Sequence, residues 1–512
     1  MTNLPDHLKL GDAARRYLDT MPRGDVVAFP LTPLDRTGLP VWAVSLFPKD
    51  AALEGVMPYG VGYGTTDEAA VLSGLGEAAE MVWPTLALGR RSKTRGSYTG
   101  LVAALGVRSV ADPLTLCLPA GSAVGRDTLL DWVEAKRASD GSTVLVPIDL
   151  AAYTVKELSP GYVPFTTVIS NGMGAGTDLD WAIGHGLSEI LQRDGNGLLF
   201  RALDAGVVLN FSPGISHTLP NALPDDVPES CRRTLDRFAE AGIAVIPKFA
   251  TDQFGLPNLY CVGHDLPGQA PTAPIMISGC GEACHPDRAQ ALQKALTEFA
   301  ASRVRKAFSH GPMELVNRIA PEGYVKRFMA QSRGSAKSTD SRAFTAMRDW
   351  TQASAQQLQA WLADSVLSVR SRKDFSTLPS TGANDSRAAG TIARQRLQAA
   401  GFDILYVDMS PADRGVSVVK VIVPGMEVET MSYARIGERN TRKLIERDSP
   451  LIRFGQATES LRPVRLTPEA LERLGGQPLF DTELAGQIVG PLYPLYREPE
   501  AFHVAWAGGC GA

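Results

Sequence analysis

Val168-Ile-Ser-Asn-Gly172-Met-Gly174-Ala-Gly176 reads as a strand entering a glycine-rich loop, and Thr177, Asp178 and Asp180 then supply the side-chain oxygens that start a helix over Trp181–Phe200. Leu187, Ile190, Leu191, Leu198, Leu199 and Phe200 make that helix mostly buried. Glu189 and Arg193, four residues apart within it, then need partners, because a buried charge without one is costly. The same sentence is written twice more. A glycine-rich opening precedes a helix at Thr66–Trp83, and Ile275-Met-Ile-Ser-Gly-Cys-Gly281 reads as strand and loop before a helix over Asp287–Arg305. The spacing between the three is too irregular for a solenoid.

Outside these elements the first 55 residues read as strand and loop, with Val26–Phe29 and Val41–Phe47 as short apolar runs. Leu129–Lys136 and Thr143–Pro147 make a hairpin around Asp140-Gly141. Two polar stretches, 331–342 and 371–387, are expected as mobile connections on either side of a helix at Trp350–Leu367. Phe402–Asp408 and Val416–Val423 read as strands, the second stopped by Pro424-Gly425. Helix and strand in comparable amounts, without clean βαβ alternation, predict an α+β fold with helices packed on mostly antiparallel sheets. The expected division is an N-terminal region (1–55), a main domain (56–440) and a C-terminal extension (441–512).

Of the 512 residues, 44% are apolar and 21% charged, and the net charge of -4 gives no general pull toward nucleic acid or an anionic membrane. No secretory signal opens the chain and no apolar run approaches the ~20 residues of a spanning helix, so a soluble cytoplasmic protein is expected. The six cysteines are scattered, unlike a disulfide framework. Cys280, Cys284 and His285 lack the second pair that a zinc clip needs, and Cys510 lies in a Gly-Gly-Cys-Gly tail.

On the first helix Ser73, Glu77 and Glu80 share a face, because residues three and four apart are neighbours. Two carboxylates and a hydroxyl make a hard-oxygen set of the kind Mg²⁺ prefers, and a solvated helix face is the plainer alternative. Gln293, Glu298 and Arg303 lie on the third helix, in an equally Ala- and Leu-rich setting. There is no Walker loop, and Gly172–Gly176 lacks the full dinucleotide-binding spacing. His185 reads as a core histidine rather than a base.

Taken in order, the Ser73–Glu80 helix behind its glycines, Ser170–Gly176 before Glu189-Ile-Leu-Gln-Arg-Asp194, and Gly281-Glu-Ala-Cys-His-Pro-Asp287 before Ala295-Leu-Thr-Glu298 resemble the YcaO family. Leu130-Asp-Trp-Val-Glu134, Val144–Pro147 and Val418–Glu427 agree, and the resemblance runs over roughly residues 40–440. It implies a YcaO-like fold around an ATP-Mg²⁺ site, with ATP spent on a peptide backbone amide to give an azoline or a thioamide. It also implies a ribosomally made precursor peptide as substrate, a separate ThiF-like or TfuA-like partner protein, and a homodimer as one possible assembly. Carried over by position, Glu77, Glu80, Glu189 and Glu298 would be metal ligands, and Ser73, Gln192, Arg193 and Arg303 would join them around the nucleotide. No catalytic acid or base is assigned. This chain departs from many relatives in having Gln192 for Glu, Met81 for Arg and Tyr63 for Lys, each removing charge near the expected phosphates. It also lacks the Pro-x-Pro-x-Pro tail of azoline formers, Pro491-Leu-Tyr-Pro494 being the nearest analogue. The alternatives are a non-catalytic precursor-binding scaffold and an enzyme acting on a non-peptide carbonyl.

Overall fold

The structure, a computed structural model, describes residues 2–3, 5, 8–195, 206–211, 227–332, 340–413, 415–428 and 434–507. Leu198–Phe200, Cys510 and most of the polar stretch 331–342 lie outside them. The glycine stretches read above as loops are themselves strands, and each feeds a helix. They are β1 (Tyr59–Tyr63) with α1 (Asp67–Arg90), β2 (Met173–Gly176) with α2 (Leu179–Gly195), and β3 (Gly281–Cys284) with α3 (Arg288–His310). Steric space is the reason. A Cβ at Gly62 would lie 2.0 Å from the Ala70 carbonyl oxygen, one at Gly174 2.1 Å from that of Ala182, and one at Gly281 2.1 Å from that of Ala295. Each helix therefore lies flush on its strand, at a distance that only glycine permits. The stretch before β3 also differs from its reading as a strand, since Pro274–Ser278 turns as a 3₁₀ helix with proline at its start.

The chain forms two compact units: Met1–Val82, Asp204–Asp385 and Pro491–Ala512 in the first, Trp83–Leu203 and Ser386–Gly490 in the second. The first holds a four-stranded sheet ordered Thr2–Asn3, Gly24–Pro30, Val41–Pro48, β1. The position near residue 55 falls between Val41–Pro48 and β1, which pair antiparallel from Val41↔Tyr63 to Ser45↔Tyr59. Its other sheet runs β3, Asn258–Asp265, Ile243–Thr251, Val207–Asn210, Ser371–Asp374. Phe238, Phe299 and Phe375 pack in the core against that sheet.

Two expectations change in this unit. Trp350–Leu367 is not one helix, because Ser341–Gln352 ends and Ala355–Ala363 begins afresh from Ser354, whose side chain caps Gln357 while Gln357 caps Ser354 in return. The 371–387 stretch is built in rather than loose. Ser371–Asp374 pairs in parallel with Val207–Asn210, and Phe375 and Leu378 are buried.

The second unit carries a sheet ordered Thr94–Gly96, Leu130–Arg137, Leu405–Asp408, Ser417–Ile422, β2, with Thr143–Pro147 also paired to Leu130–Arg137. Every pairing in it is antiparallel, and the expected hairpin is there. A smaller sheet runs Ile452–Arg453, Leu479–Asp481, Leu461–Pro463. Across both units this is the α+β arrangement that the sequence predicts. Among the described residues no helix is long and apolar enough to cross a membrane.

Asp287 shows how local chemistry sets α3. Its Oδ1 accepts the Ala289 and Gln290 amides at 2.9 and 3.2 Å, and its Oδ2 accepts the Ser380 hydroxyl and the Gly382 amide at 2.6 and 2.9 Å. Burial works against the charge, but those four donors outweigh it and hold the carboxyl below its ordinary range. Asp287→Ala is expected to cost about 2 kcal/mol at neutral pH. A depressed carboxyl stabilises the fold above its unfolded pKa, about 3.9, and loses that contribution as pH falls through the folded value. Urea unfolding at decreasing pH should therefore show wild type and variant converging below about pH 4.

Candidate functional site

In the first unit α1 presents Ser73, Glu77 and Glu80, all half-buried, on successive turns. The Val61 amide donates to Glu77 Oε2 at 2.9 Å, pinning that carboxylate to β1. Two residues along the same strand, the Tyr63 hydroxyl donates to Glu298 Oε2 of α3 at 3.2 Å. The strand thus gathers a carboxylate from each helix, and Tyr63, noted in the sequence only as a lost charge, is a positioning group. Met81, the other lost charge, accepts the Tyr59 amide through its sulfur at 3.4 Å.

Arg303 belongs elsewhere. Its guanidinium is fully buried, bonded to Asp35 at 2.9 Å and to Asp265 at 3.3 Å, so its charge is spent on holding the framework rather than offered to a phosphate. Gln293 is likewise engaged, its Nε2 donating to Thr234 Oγ1 at 3.0 Å. Arg305, which the sequence reading did not single out, has its charge engaged as well. Glu498 grips it at 3.2 and 3.3 Å, and the Glu498 charge, opposed by burial and reinforced by Tyr59 and Glu77, pushes its pKa up. Glu498 also receives Lys306 at 2.6 Å and His310 at 3.1 Å, so a residue of the C-terminal segment neutralises two cations of α3 and bonds a histidine whose pKa burial lowers.

The second unit repeats the device. The Gly172 amide donates to Glu189 Oε2 at 3.1 Å, and Arg193 Nε lies 3.6 Å from Glu189 Oε1. Gln192 is buried. Asp194 is committed to structure, accepting the Glu427 amide at 2.7 Å and Arg439 Nη1 at 2.5 Å. A displacement of 112 positions superimposes Gly62 on Gly174, Ala70 on Ala182, Gly74 on Gly186, Glu77 on Glu189, Glu80 on Gln192 and Met81 on Arg193. In one copy the carboxylate pair is complete and the cation absent; in the other the reverse holds. The third pair is offset. The Cys280 amide donates to Ser302 Oγ at 3.1 Å, the counterpart of Val61 to Glu77, which leaves Glu298 at the place Ser73 holds on α1.

Among the described residues no three His, Cys, Asp or Glu side chains converge as a ready metal cage. Mg²⁺ keeps waters and takes the rest of its shell from one or two carboxylates and substrate phosphates. The half-buried oxygens of Glu77, held from behind by the Val61 amide, and of Glu298, held by the Tyr63 hydroxyl, fit such a role, and half-buried Glu80 lies one turn from Glu77. Cys280, Cys284 and His285 face other tasks: His285 Nδ1 accepts the Asp287 amide at 3.1 Å, and burial lowers its pKa.

The model of the YcaO family, described as an ATP- and Mg²⁺-binding cyclodehydratase, matches residues 61–427. A protein of Methanothermobacter thermautotrophicus, described only as uncharacterised, is 26% identical over 421 residues, covering 80% of this chain and 91% of its own. A heterocyclase solved with substrate and cofactor is similar in fold, at TM-score 0.54 and 18% identity over 84% of this chain; the match spans 52% of that longer protein. A YcaO protein of Methanopyrus kandleri bound with AMPPCP and Mg²⁺ gives TM-score 0.53 and 17% identity over 83% of this chain and 91% of its own.

Proposed function

The chain belongs to the ATP- and Mg²⁺-binding YcaO family, and from that premise we propose that it phosphorylates a backbone amide oxygen of a ribosomally made peptide on the way to an azoline. The observation that carries this is the recurrence of a carboxylate tied to a backbone amide, Glu77 to Val61 in β1 and Glu189 to Gly172 just before β2. Such anchoring fixes side chains before any ligand arrives, so binding does not have to order them.

When bound, ATP and Mg²⁺ supply the phosphoryl group and spread its charge. In the first unit Glu77, Glu80 and Glu298 would offer an ion hard anionic oxygens and Ser73 a neutral one, and in the second Glu189 and Gln192 would offer groups of the same two kinds. Arg193 supplies positive charge for phosphate oxygens, with its direction set by Glu189. A Cys, Ser or Thr side chain of the peptide would lose its proton and add to the preceding carbonyl carbon, the former carbonyl oxygen would take the terminal phosphoryl group of ATP with release of ADP, and phosphate would leave as the amide nitrogen loses its proton and the ring C=N bond forms. An amide oxygen is a poor leaving group and phosphate a good one. The peptide and a separate ThiF-like or TfuA-like protein complete the proposed system.

A peptide labelled with heavy oxygen at the reacting amide tests the reading. The label should appear in released phosphate, and label retained in the peptide, or lost to water alone, would overturn it. Loss of one water from the product supports the azoline, and exchange of oxygen for sulfur with added sulfide supports the thioamide instead. The scaffold reading draws on Gln192 and Met81, which remove charge where the parallel copies differ.

A further inference from the structure

The helix Tyr98–Leu105 of the second unit lies at the surface without a charged residue in it. Ser97 starts it by accepting the Gly100 amide at 3.2 Å, and Gly106, at φ +87°, stops it. Its inner side, Tyr98, Leu101 and Val102, leans on a small core around Trp132, yet none of its eight residues is buried. Its outer side holds Thr99, Gly100, Ala103 and Ala104, all exposed. A surface helix ordinarily turns charged residues to water, and one that is apolar all round is ordinarily covered. We propose that this face is a docking surface for a separate polypeptide segment that is apolar on one side and carries acidic side chains beside it.

The apolar surface continues past the helix. Leu105 and Val107 are 52% and 64% exposed, and Leu129 and Val163 are 60% and 83% exposed. These are four of the eight large apolar side chains that stand exposed among the described residues, and each lies within three positions of a residue of the core around Trp132. The Thr99 amide donates to the Arg126 carbonyl at 3.1 Å, which brings the turn before Leu129 alongside the helix start. Exposed apolar residues scattered singly need no account, but their concentration beside one small core marks an interaction surface.

Charge selects the occupant. From Met81 to Ala111 the chain has no Asp or Glu, whereas Arg90, Arg91, Lys93, Arg95 and Arg108 give it five cations. Asp131 neutralises Arg95 at 2.8 Å, and Asp112 neutralises Arg126, which lies over the Tyr98 ring, at 2.6 Å. Asp140 reaches Arg108 only at 3.5 Å with both groups exposed, where such a pair contributes little. Arg91 and Lys93 donate to the carbonyls of Asp408 and Leu88 at 2.6 and 3.0 Å, contacts that hold them without cancelling their charge. Among the described residues no carboxylate pairs with either of them or with Arg90. An acidic segment is complementary to such a face. A second copy of this chain is not, because stacking the face on its own two-fold mate sets like charges against each other. A membrane fits poorly too, since interfacial helices bear Trp, Phe or Leu outward and this one bears threonine, glycine and alanine.

The inference stands apart from nucleotide use, and its test contains no ATP. Full-length protein is titrated into a labelled amphipathic peptide of leucine and glutamate, into its glutamine counterpart and into its lysine counterpart, with anisotropy as the readout. The glutamate peptide should bind saturably, at least tenfold more tightly than the other two, and its advantage should shrink as salt rises. Ala104→Glu, which sets a like charge on the outer face, should lose at least tenfold in affinity, and the double variant Arg90→Gln, Lys93→Gln at least fivefold. Val369→Glu, at an exposed apolar residue of the other unit, should bind as the wild type does. Melting curves confirm that the variants fold, and the comparison of the three peptides on the wild-type protein stands even where one does not. Equal binding of the three peptides, unchanged affinity in folded Ala104→Glu, no binding at millimolar peptide, a dimer that Ala104→Glu dissociates, or cosedimentation with phosphatidylserine vesicles that Ala104→Glu abolishes would each overturn the proposal.

Discussion

Glu77→Gln is expected to lower Mg²⁺-dependent ATP turnover on the order of 100- to 1,000-fold, the loss typical when one group stabilising a charged reacting centre is removed. The fold should survive. Glutamine keeps an oxygen that can accept the Val61 amide at the place where Oε2 now accepts it at 2.9 Å, and it removes only the charge. Glu77→Ala differs in kind, because it leaves that amide without its acceptor and adds a stability loss of about 1–3 kcal/mol. Phosphate release with melting curves separates the two effects. Near-normal turnover in a folded Glu77→Gln protein would remove Glu77 from the metal site.

The second large effect is structural. Gly62→Ala would put a methyl group 2.0 Å from the Ala70 carbonyl oxygen and 2.2 Å from the Gly74 nitrogen, both backbone atoms of α1. Neither can swing aside as a side-chain tip would, so strand and helix must separate. The expected cost exceeds about 4 kcal/mol, the range reached only by severe overpacking, and leaves little native protein. Gly174→Ala should behave alike, since its methyl would lie 2.1 Å from Ala182 O. Gly89→Ala on α1, with nothing within 4 Å, is the control and should be neutral or stabilising by up to about 1 kcal/mol. A cooperative, near-wild-type unfolding transition in Gly62→Ala would show that the close approach is not required.

Both results bear on how far the sequence could be read. Helix periodicity, Asp and Thr at helix starts, and the β-branched run Val416–Val423 are local signals, and the helices, the hairpin and the fold class followed from them. The glycine strands did not, because Gly–Val–Gly carries no strand propensity of its own; the partner helix eight residues later decides its conformation. Glu77 and Glu189 were legible as a recurring pattern, but the amides that hold them were not, since a backbone donor leaves no mark in composition. Arg303 was misplaced for a related reason. Its partners Asp35 and Asp265 are distant in sequence, and nothing near Arg303 announces that its charge is already spent. Arg305 and Glu498, nearly two hundred positions apart, could not be paired from either end. Shifting the chain against itself by 112 positions was the signal that would have exposed the Glu80/Gln192 and Met81/Arg193 exchange before any coordinates.

The central claim, that these anchored carboxylates serve ATP and Mg²⁺, is tested most directly by calorimetric titration of ATP into the full-length protein with and without Mg²⁺. The account predicts saturable binding that requires Mg²⁺ and weakens at least tenfold in both Glu77→Gln and Glu189→Gln. Absence of binding at millimolar ATP with Mg²⁺, with or without peptide, or equal binding by wild type and both variants, would contradict it.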